Sequence, residues 1–520
     1  MGNLSQSLSE HLQGIAGGIV SFSLSIVNCV MRRGTENSDD EDDDELDSIG
    51  IDPFEAVLER VKVKHIGKYV AAIRAKKHPS GKKIPVVEVG PSVPVCEYLC
   101  HRLKFADGVS WMLKVPAIGT PDQFDEDDAE ALRSEALTMM MLRRETTIPI
   151  PEVFSYNNTC KSKLKVPFIL MEFIDARPLD EVWHDRESPK EVVQARRTRC
   201  LQDIAAAYLQ LGKYTFNECG PLRFDDEDRL TGVVPVKNDP FSGFKEACTS
   251  LLDQSGQEES ESRKGLLKLL RMFVDWTPES SEGKSFVLCH GNPNIFNFLV
   301  AEDGSVRAIL DWHDAYANPP IIGNEQYPLW LMRDWDPTIY MWSEHMERGD
   351  HDHDEDYMWE DSPDTLEFYR NVYAQCIANL RPESENAKLT RNSALFQHLM
   401  MAASDTPFSL GQTGKILGEV MKRVEKHADD NSCPASFDSP NDSEKDNKKD
   451  SSSKEDAACD HNSPDKTEDH VEDGGIDADR DEDEDEDFDI YEFLEALGRD
   501  GLCKHRQKLF KAGFEALFIS

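Results

Sequence analysis

The chain has 520 residues, with 99 Asp and Glu against 58 Lys and Arg and a formal net charge of −41. That length allows about two to four domains and leaves ample chain for a buried core. Acid in such surplus, with no basic cluster, speaks against nucleic-acid binding, where Lys and Arg on phosphates supply most of the affinity. The acid is unevenly placed: residues 36–47 hold nine acids and no base, and residues 427–490 hold 25 acids and six bases. Together they carry −28 of the total. Twelve cysteines are scattered without a CxxC pair or a Cys/His metal spacing, which implies free, mostly buried thiols in a cytoplasmic setting.

Residues 1–50 read as an apolar helix followed by an acidic linker. Leu12, Ile15, Ile19, Phe22, Ile26 and Val30 recur at three or four residues, a one-faced helical stripe suited to docking or to weak membrane contact through residues 12–31. From 51 to about 425 the pattern is that of a folded α+β body. Alternating runs at 97–105 and 111–115 are joined by Ala106-Asp107-Gly108, which is hairpin chemistry. A helix is expected over 128–143, with Ala129, Leu132, Ala136, Met139 and Met140 on one stripe. A buried strand follows at 167–174 and a long helix at 190–213. Three short strands are expected at 286–289, 297–300 and 306–310, with a turn at Gly304. Helices follow at 319–334, 363–380, 390–404 and 411–427. The His/Asp run at 350–356 reads as a solvated loop. Residues 428–487 are low-complexity and acidic, a spacer or a contact for a basic protein partner. Residues 488–520 regain Leu and aromatic content in two helices that dock back onto the body.

Candidate chemistry concentrates in His290-Gly291-Asn292-Pro293-Asn294-Ile295-Phe296-Asn297 and in Leu310-Asp311-Trp312. A hairpin brings Asn297 and Asp311 to one point, and an amide oxygen with a carboxylate can hold Mg²⁺ while phosphates complete its shell. Lys114, between apolar neighbours on a strand, is a candidate phosphate contact. Glu135 lies 21 residues later on a helix and could fix it. Lysine, helix glutamate, catalytic loop, amide ligand and metal carboxylate are the parts used for phosphoryl transfer.

In these motifs the chain resembles the aminoglycoside phosphotransferase and choline kinase-like branch of the protein-kinase-like fold, in a divergent fungal-type form. The family's HGDxxxxN loop is matched from His290 to Asn297 and its metal aspartate by Asp311. Ser134-Glu135-Ala136 before Ile148-Pro149-Ile150-Pro151, Ile169-Leu170-Met171-Glu172-Phe173, and Pro178-Leu179-Asp180-Glu181-Val182-Trp183 are also similar. The resemblance covers about residues 85–425. It implies a small N-terminal β lobe with hinge (51–174), then a larger, mostly helical C-terminal lobe (175–427). It also implies ATP with Mg²⁺: Lys114 at the phosphates, Met171, Glu172 and Phe173 at the adenine, Asn297 and Asp311 on the metal, and His290 and Asn292 in the catalytic loop. Gly90-Pro91-Ser92 stands roughly where a Gly-rich loop would be.

The departure that matters is Asn292, where the family has aspartate. An amide orients a hydroxyl but cannot take its proton, and a missing base typically costs about 10²–10⁴ in rate. Asp314 is a conceivable stand-in. Two readings follow: an ATP-dependent phosphotransferase acting on a hydroxyl of a small molecule, or a nucleotide-binding pseudokinase serving protein interaction.

Overall fold

The computed structural model describes residues 54–77, 81–234, 243–254, 260–278, 285–344, 359–381, 387–404, 408–430 and 489–518. The expectations for residues 12–31, 36–47 and 350–356, and for nearly all of 428–487, lie outside them.

Two short helices open the described chain, α1 (Glu55–Arg60) and α2 (Val63–Lys77). Neither was expected from the sequence. Both bury apolar residues, with Phe54, Val57, Val61, Ile66 and Val70 on the outer face of a β-sheet. The expectation of a chain without a basic cluster fails here. From Arg60 to Val87 there are nine Lys and Arg and no acid, a local reversal hidden by the overall charge.

The sheet comprises β1 (Val86–Val89), β2 (Val93–Val95), β3 (Tyr98–Phe105), β4 (Ser110–Pro116), β5 (Val153–Asn157) and β6 (Phe168–Glu172), all antiparallel, ordered β1-β3-β4-β6-β5 with β2 also on β3. The β3–β4 hairpin turns as its residues predict. Gly108 takes φ +86°, which a side chain would resist, and Asp107 receives a bidentate bond from Arg74. Alternation gives the sheet two faces. Leu99, Leu103, Phe105, Leu113, Val115 and Leu170 pack under α2. Tyr98, Cys100, Met112, Lys114, Ile169 and Met171 share the opposite face, by the registers Cys100↔Lys114, Met112↔Met171 and Lys114↔Ile169.

Helix α3 (Glu126–Glu145) covers that second face. Asp125 and Asp128 form a reciprocal capping box, and acids in its first turn and Arg143 and Arg144 in its last suit the helix dipole. The expected stripe is partly displaced: Leu132, Ala136 and Met139 are buried, but Met140 is exposed and Met141 and Leu142 face inward. The helix is also tied to the larger lobe. Arg133 donates to the carbonyl of Asp225 and to the Asp228 carboxylate, and Ser134 Oγ donates to the carbonyl of Leu222.

The larger lobe begins with β7 (Arg177–Pro178), α4 (Leu179–Trp183) and α5 (Lys190–Leu209), the last running into a 3-10 turn at Gln210–Lys213. A second sheet combines β8 (Thr215–Phe216), β9 (Gly220–Phe224), β10 (Leu230–Val233), β11 (Phe286–Cys289) and β14 (Tyr316–Asn318) in the order β10-β9-β14-β11-β8. A third, smaller sheet orders β12 (Phe298–Val300) between β13 (Val306–Ile309) and β7. Helices α6 (Phe244–Gln254) and α7 (Glu261–Trp276) were not expected. Residues 319–334 form 3-10 turns at Pro320–Ile322 and Leu329–Trp335 rather than the expected α-helix. Pro319, Pro320 and Pro328 withhold the amides a continuous helix needs.

Helices α8 (Pro363–Leu380), α9 (Ala387–Ala403) and α10 (Ser409–Asp430) fall close to their expected bounds. The C-terminal pair α11 (Ile490–Asp500) and α12 (Lys504–Ala516) docks on the body as expected, α11 against α7 and α12 against α10 and α7. Phe514 stacks on Phe273 with centroids 4.9 Å apart. The architecture is thus the expected protein-kinase-like one, a small β lobe and a larger, mostly helical lobe. Among the described residues no helix is long and apolar enough to cross a membrane, and the nine described cysteines are all free.

Candidate functional site

Lys114 enters the cleft from β4, third from the end of a strand held by β3 and β6. Its ammonium lies 2.7 Å from Glu135 Oε1 on α3 and 3.7 Å from Asp311 Oδ1. Both Lys114 and Glu135 are buried. Burial works against the charge of Lys114, but Glu135, Tyr98 and Asp311 outweigh it and hold the ammonium protonated well above its ordinary range. The Tyr98 ring covers the same ammonium, its centroid 3.7 Å from Nζ, a cation–π contact made inside the cleft.

The catalytic-loop candidate follows β11, whose pairing with β8 and β14 fixes its exit. His290 is buried between Tyr208 and Trp312. Its Nδ1 accepts from the Asn292 amide at 3.1 Å, so its Nε2 carries the proton and donates to the carbonyl of Leu310 at 2.8 Å. Burial lowers its pKa in keeping with that neutral form. Both ring nitrogens are thus engaged in joining the loop to the residue before Asp311.

Asn294 caps the 3-10 turn Ile295–Asn297 through its side chain. Asn297 Nδ2 donates to the Asn292 carbonyl at 2.9 Å and lies 3.4 Å from Asp311 Oδ2. Leu310 N donates to the Asn297 carbonyl at 2.8 Å. Asn292 Oδ1 is buried with no hydrogen-bond donor, an orphaned acceptor at the position where the family has its aspartate. Gly291 has no room for a side chain: a Cβ there would fall 2.0 Å from the carbonyl oxygen of Asp314.

Asp311 adopts φ +62°, a left-handed conformation that costs a non-glycine residue energy and is concentrated at functional positions. Its Oδ1 is 2.6 Å from His313 Nδ1, while His313 Nε2 is 2.8 Å from Asp314 Oδ2. Burial opposes both charges. The His313 imidazolium and Lys114 nevertheless keep the Asp311 carboxyl far below the usual carboxylate range. Reciprocally, Asp311, Tyr98 and Asp314 hold His313 protonated well above its ordinary value.

At the hinge, Met171 faces the cleft beside Met112. The amide of Glu172 donates to the carbonyl of Glu152 at 2.8 Å and that of Phe173 to the carbonyl of Ser110 at 3.4 Å. Arg102 stacks over the Phe173 ring at 4.1 Å. The structure therefore brings Lys114, Glu135, His290, Asn292, Asn297 and Asp311 together below a hinge formed by Met171, Glu172 and Phe173. It adds Tyr98 and His313, which sequence reasoning missed. A tyrosine opening a strand carries no motif, and His313 becomes conspicuous only through the two carboxylates it bridges.

The donor set suits a divalent cation. Asn297 lies beside Asp311, its Nδ2 3.4 Å from Oδ2, and between them the two side chains carry an amide oxygen and a carboxylate, the hard ligands Mg²⁺ selects. Phosphates would find Lys114 across from them.

Residues 103–322 match the phosphotransferase enzyme family. A relative from Candida albicans (strain SC5314), "Altered inheritance of mitochondria protein 9, mitochondrial", is 32% identical over 148 residues, covering 28% of this chain and 23% of the relative. The protein of the same name from Komagataella phaffii (strain GS115) is 31% identical over 161 residues, 30% of this chain and 26% of that one. The matches thus span about a quarter of these relatives' own length. Among solved structures, a macrolide 2'-phosphotransferase from Brachybacterium faecium is similar at 15% identity and a TM-score of 0.35, over 72% of this chain and 99% of that one. Over residues 103–322, which hold Lys114, Glu135, the 290–297 loop and Asp311, the chain is thus similar to the phosphotransferase enzyme family.

Proposed function

We propose that the chain binds ATP with Mg²⁺ in this cleft and transfers the γ-phosphoryl group to a hydroxyl of a small molecule, at a rate limited by Asn292. The observation that carries this reading is the buried Lys114–Glu135 pair at 2.7 Å with Asp311 at 3.7 Å from the same ammonium. Burying a charged pair such as Lys114 and Glu135 is costly unless its members serve one another or a ligand.

In this reading Lys114 meets the phosphates, and Asn297 and Asp311 hold the metal, which supplies charge neutralisation on the transferring group. Asn292 Oδ1 accepts a hydrogen bond from the acceptor hydroxyl and orients it, without taking its proton. Phosphoryl transfer leans mainly on positioning and electrostatics, so orientation alone leaves turnover. His290 holds the loop in register with Asp311. The free thiols support placing the chain in a reducing, cytoplasmic compartment.

A second reading, a nucleotide-binding pseudokinase, is favoured by one observation: the acceptor position is an amide. Thermal unfolding with and without Mg²⁺-ATP, on the wild type and on Asp311→Ala, tests the shared part. A ligand bound only by the native state raises stability by RT ln(1 + [L]/Kd). An upward shift in the wild type that Asp311→Ala abolishes is expected; no shift in either protein overturns both readings.

A further inference from the structure

The outer side of the small lobe carries a charge opposite to the rest of the chain. Lys64, Lys68, Ala72 and Lys76 follow one another at four-residue intervals along α2, and all four are exposed. The buried Ile66 and Val70 lie on the other side. Lys77 ends the helix, and Lys62, Lys82 and Lys83 flank it in the chain, all of them exposed. Arg74 is the exception, being turned onto the hairpin through Asp107 and the Phe105 and Trp111 rings. Among the described residues, no carboxylate pairs with Lys64, Lys68, Lys76 or Lys77. With no acid from Arg60 to Val87, the helix has no local partner to offer them.

We infer that the acidic run at residues 36–47 of the same chain docks on this lysine face. Charge complementarity carries the assignment: a run of nine acids without a base lies next in sequence to a stretch of nine bases without an acid, seven of them exposed lysines. Position in the chain selects this run over the more distant acidic tract. Only residues 48–53 separate it from Phe54, whose side chain is buried beneath α1. Six extended residues span roughly 20 Å, comparable to the roughly 22 Å length of a 15-residue helix. So short a tether holds the run at an effective concentration of order millimolar. The acidic tract at 427–490 instead meets the described chain at Asp489, where α11 packs on α7 in the other lobe.

Several weak pairs acting together give the contact its worth, since exposed ion pairs are individually small and salt-screened. Its consequence is that the chain masks a polyanion-binding surface with its own acid. Other polyanions must displace residues 36–47 to reach it.

Zero-length carbodiimide cross-linking of the full chain, with the products mapped by mass spectrometry, tests this directly. In low salt, cross-links from residues 36–47 to Lys64, Lys68, Lys76 or Lys77 are expected, and 0.5 M NaCl should remove them. Heparin chromatography gives a second readout. Deleting residues 36–47 should raise the salt needed for elution, and adding Lys64→Glu, Lys68→Glu and Lys76→Glu should cancel that rise. These lysines are exposed, so the substitutions leave the core intact. Cross-links that lead to residues 472–487, or an unchanged heparin profile after the deletion, overturn the inference. Binding of the full chain to phosphatidylserine vesicles through these lysines, undiminished by residues 36–47, also overturns it.

Discussion

Gly265 on α7 and Gly498 on α11 mark reciprocal points of one helix crossing. A Cβ on Gly265 would fall 1.8 Å from the carbonyl oxygen of Leu494, and one on Gly498 would fall 1.9 Å from that of Glu261. Each helix thus presses its backbone into the space left by the other's missing side chain. Lys268 Nζ adds bonds to the carbonyls of Leu497 and Gly498, at the C-terminal end of α11, where a cation also suits the dipole.

Gly265→Ala should therefore loosen the C-terminal helix pair. We expect a loss of about 1–3 kcal/mol, the usual cost of overpacking, with faster proteolytic release of residues 489–518. Gly418→Ala, on α10 with nothing within 4 Å of its Cβ, is the control and should be neutral or stabilising by about 0.5–1 kcal/mol. Urea unfolding and limited trypsin digestion read both. Equal behaviour of the two variants would show that the crossing tolerates a methyl group.

Lys114→Met should be far more damaging than a surface change. It leaves Glu135 buried without its cation, and breaking a buried pair from one side typically costs about 3–5 kcal/mol. Lys114→Met combined with Glu135→Leu removes both charges and should recover much of that stability. Neither variant should show the Mg²⁺-ATP shift. Urea midpoints of the two variants and their parent provide the comparison.

Asn292→Asp restores a proton acceptor at the orphaned position. ATP turnover should rise by about 10²–10⁴, with nucleotide affinity little changed, because the proposed role of residue 292 is toward the acceptor hydroxyl and not the phosphates. Phosphate release and calorimetric Kd are the two measurements. Unchanged turnover alongside intact binding would mean that more than the base has been lost.

His184 supplies a pH dependence. Burial, against the attraction of Asp361 and with help from Arg197, Arg186 and Arg333, pushes its pKa down to about 4 from the ordinary 6.5. The folded-state value is the lower one, so between pH 6.5 and 4 the unfolded chain takes up a proton that the folded chain refuses. Its contribution is complete above pH 6.5 and declines as pH falls, by up to about 3 kcal/mol. Urea midpoints at pH 7 and pH 4.5 should show a smaller acid loss for His184→Gln than for the wild type. Equal losses would place the acid sensitivity elsewhere.

What the sequence discloses depends on how local each signal is. Helix α8 begins at Pro363 after a Ser362 cap that accepts from Thr365, and such start signals are written in adjacent residues. Lys114 and Asp311 are legible because alternation and a motif flank them. Strands β8, β9, β10 and β14 are five residues or fewer, too short for a period to declare itself. The basic run from Arg60 to Val87 was concealed by averaging its charge into a chain of net −41. His313 could not be found at all, because the groups that give it meaning meet it only in the folded chain.

Arg133 and Ser134, the two residues preceding Glu135, fasten α3 to β9 and to the loop before β10, in the same sheet as β11 and the catalytic-loop candidate. The helix that carries the glutamate paired with Lys114 is consequently anchored to the large lobe although it covers the small one. An outward swing of that helix, which would separate the pair and silence the cleft, must first break bonds on both sides of one turn. A regulator that worked by displacing this helix would have to break the Arg133 and Ser134 bonds to the large lobe first.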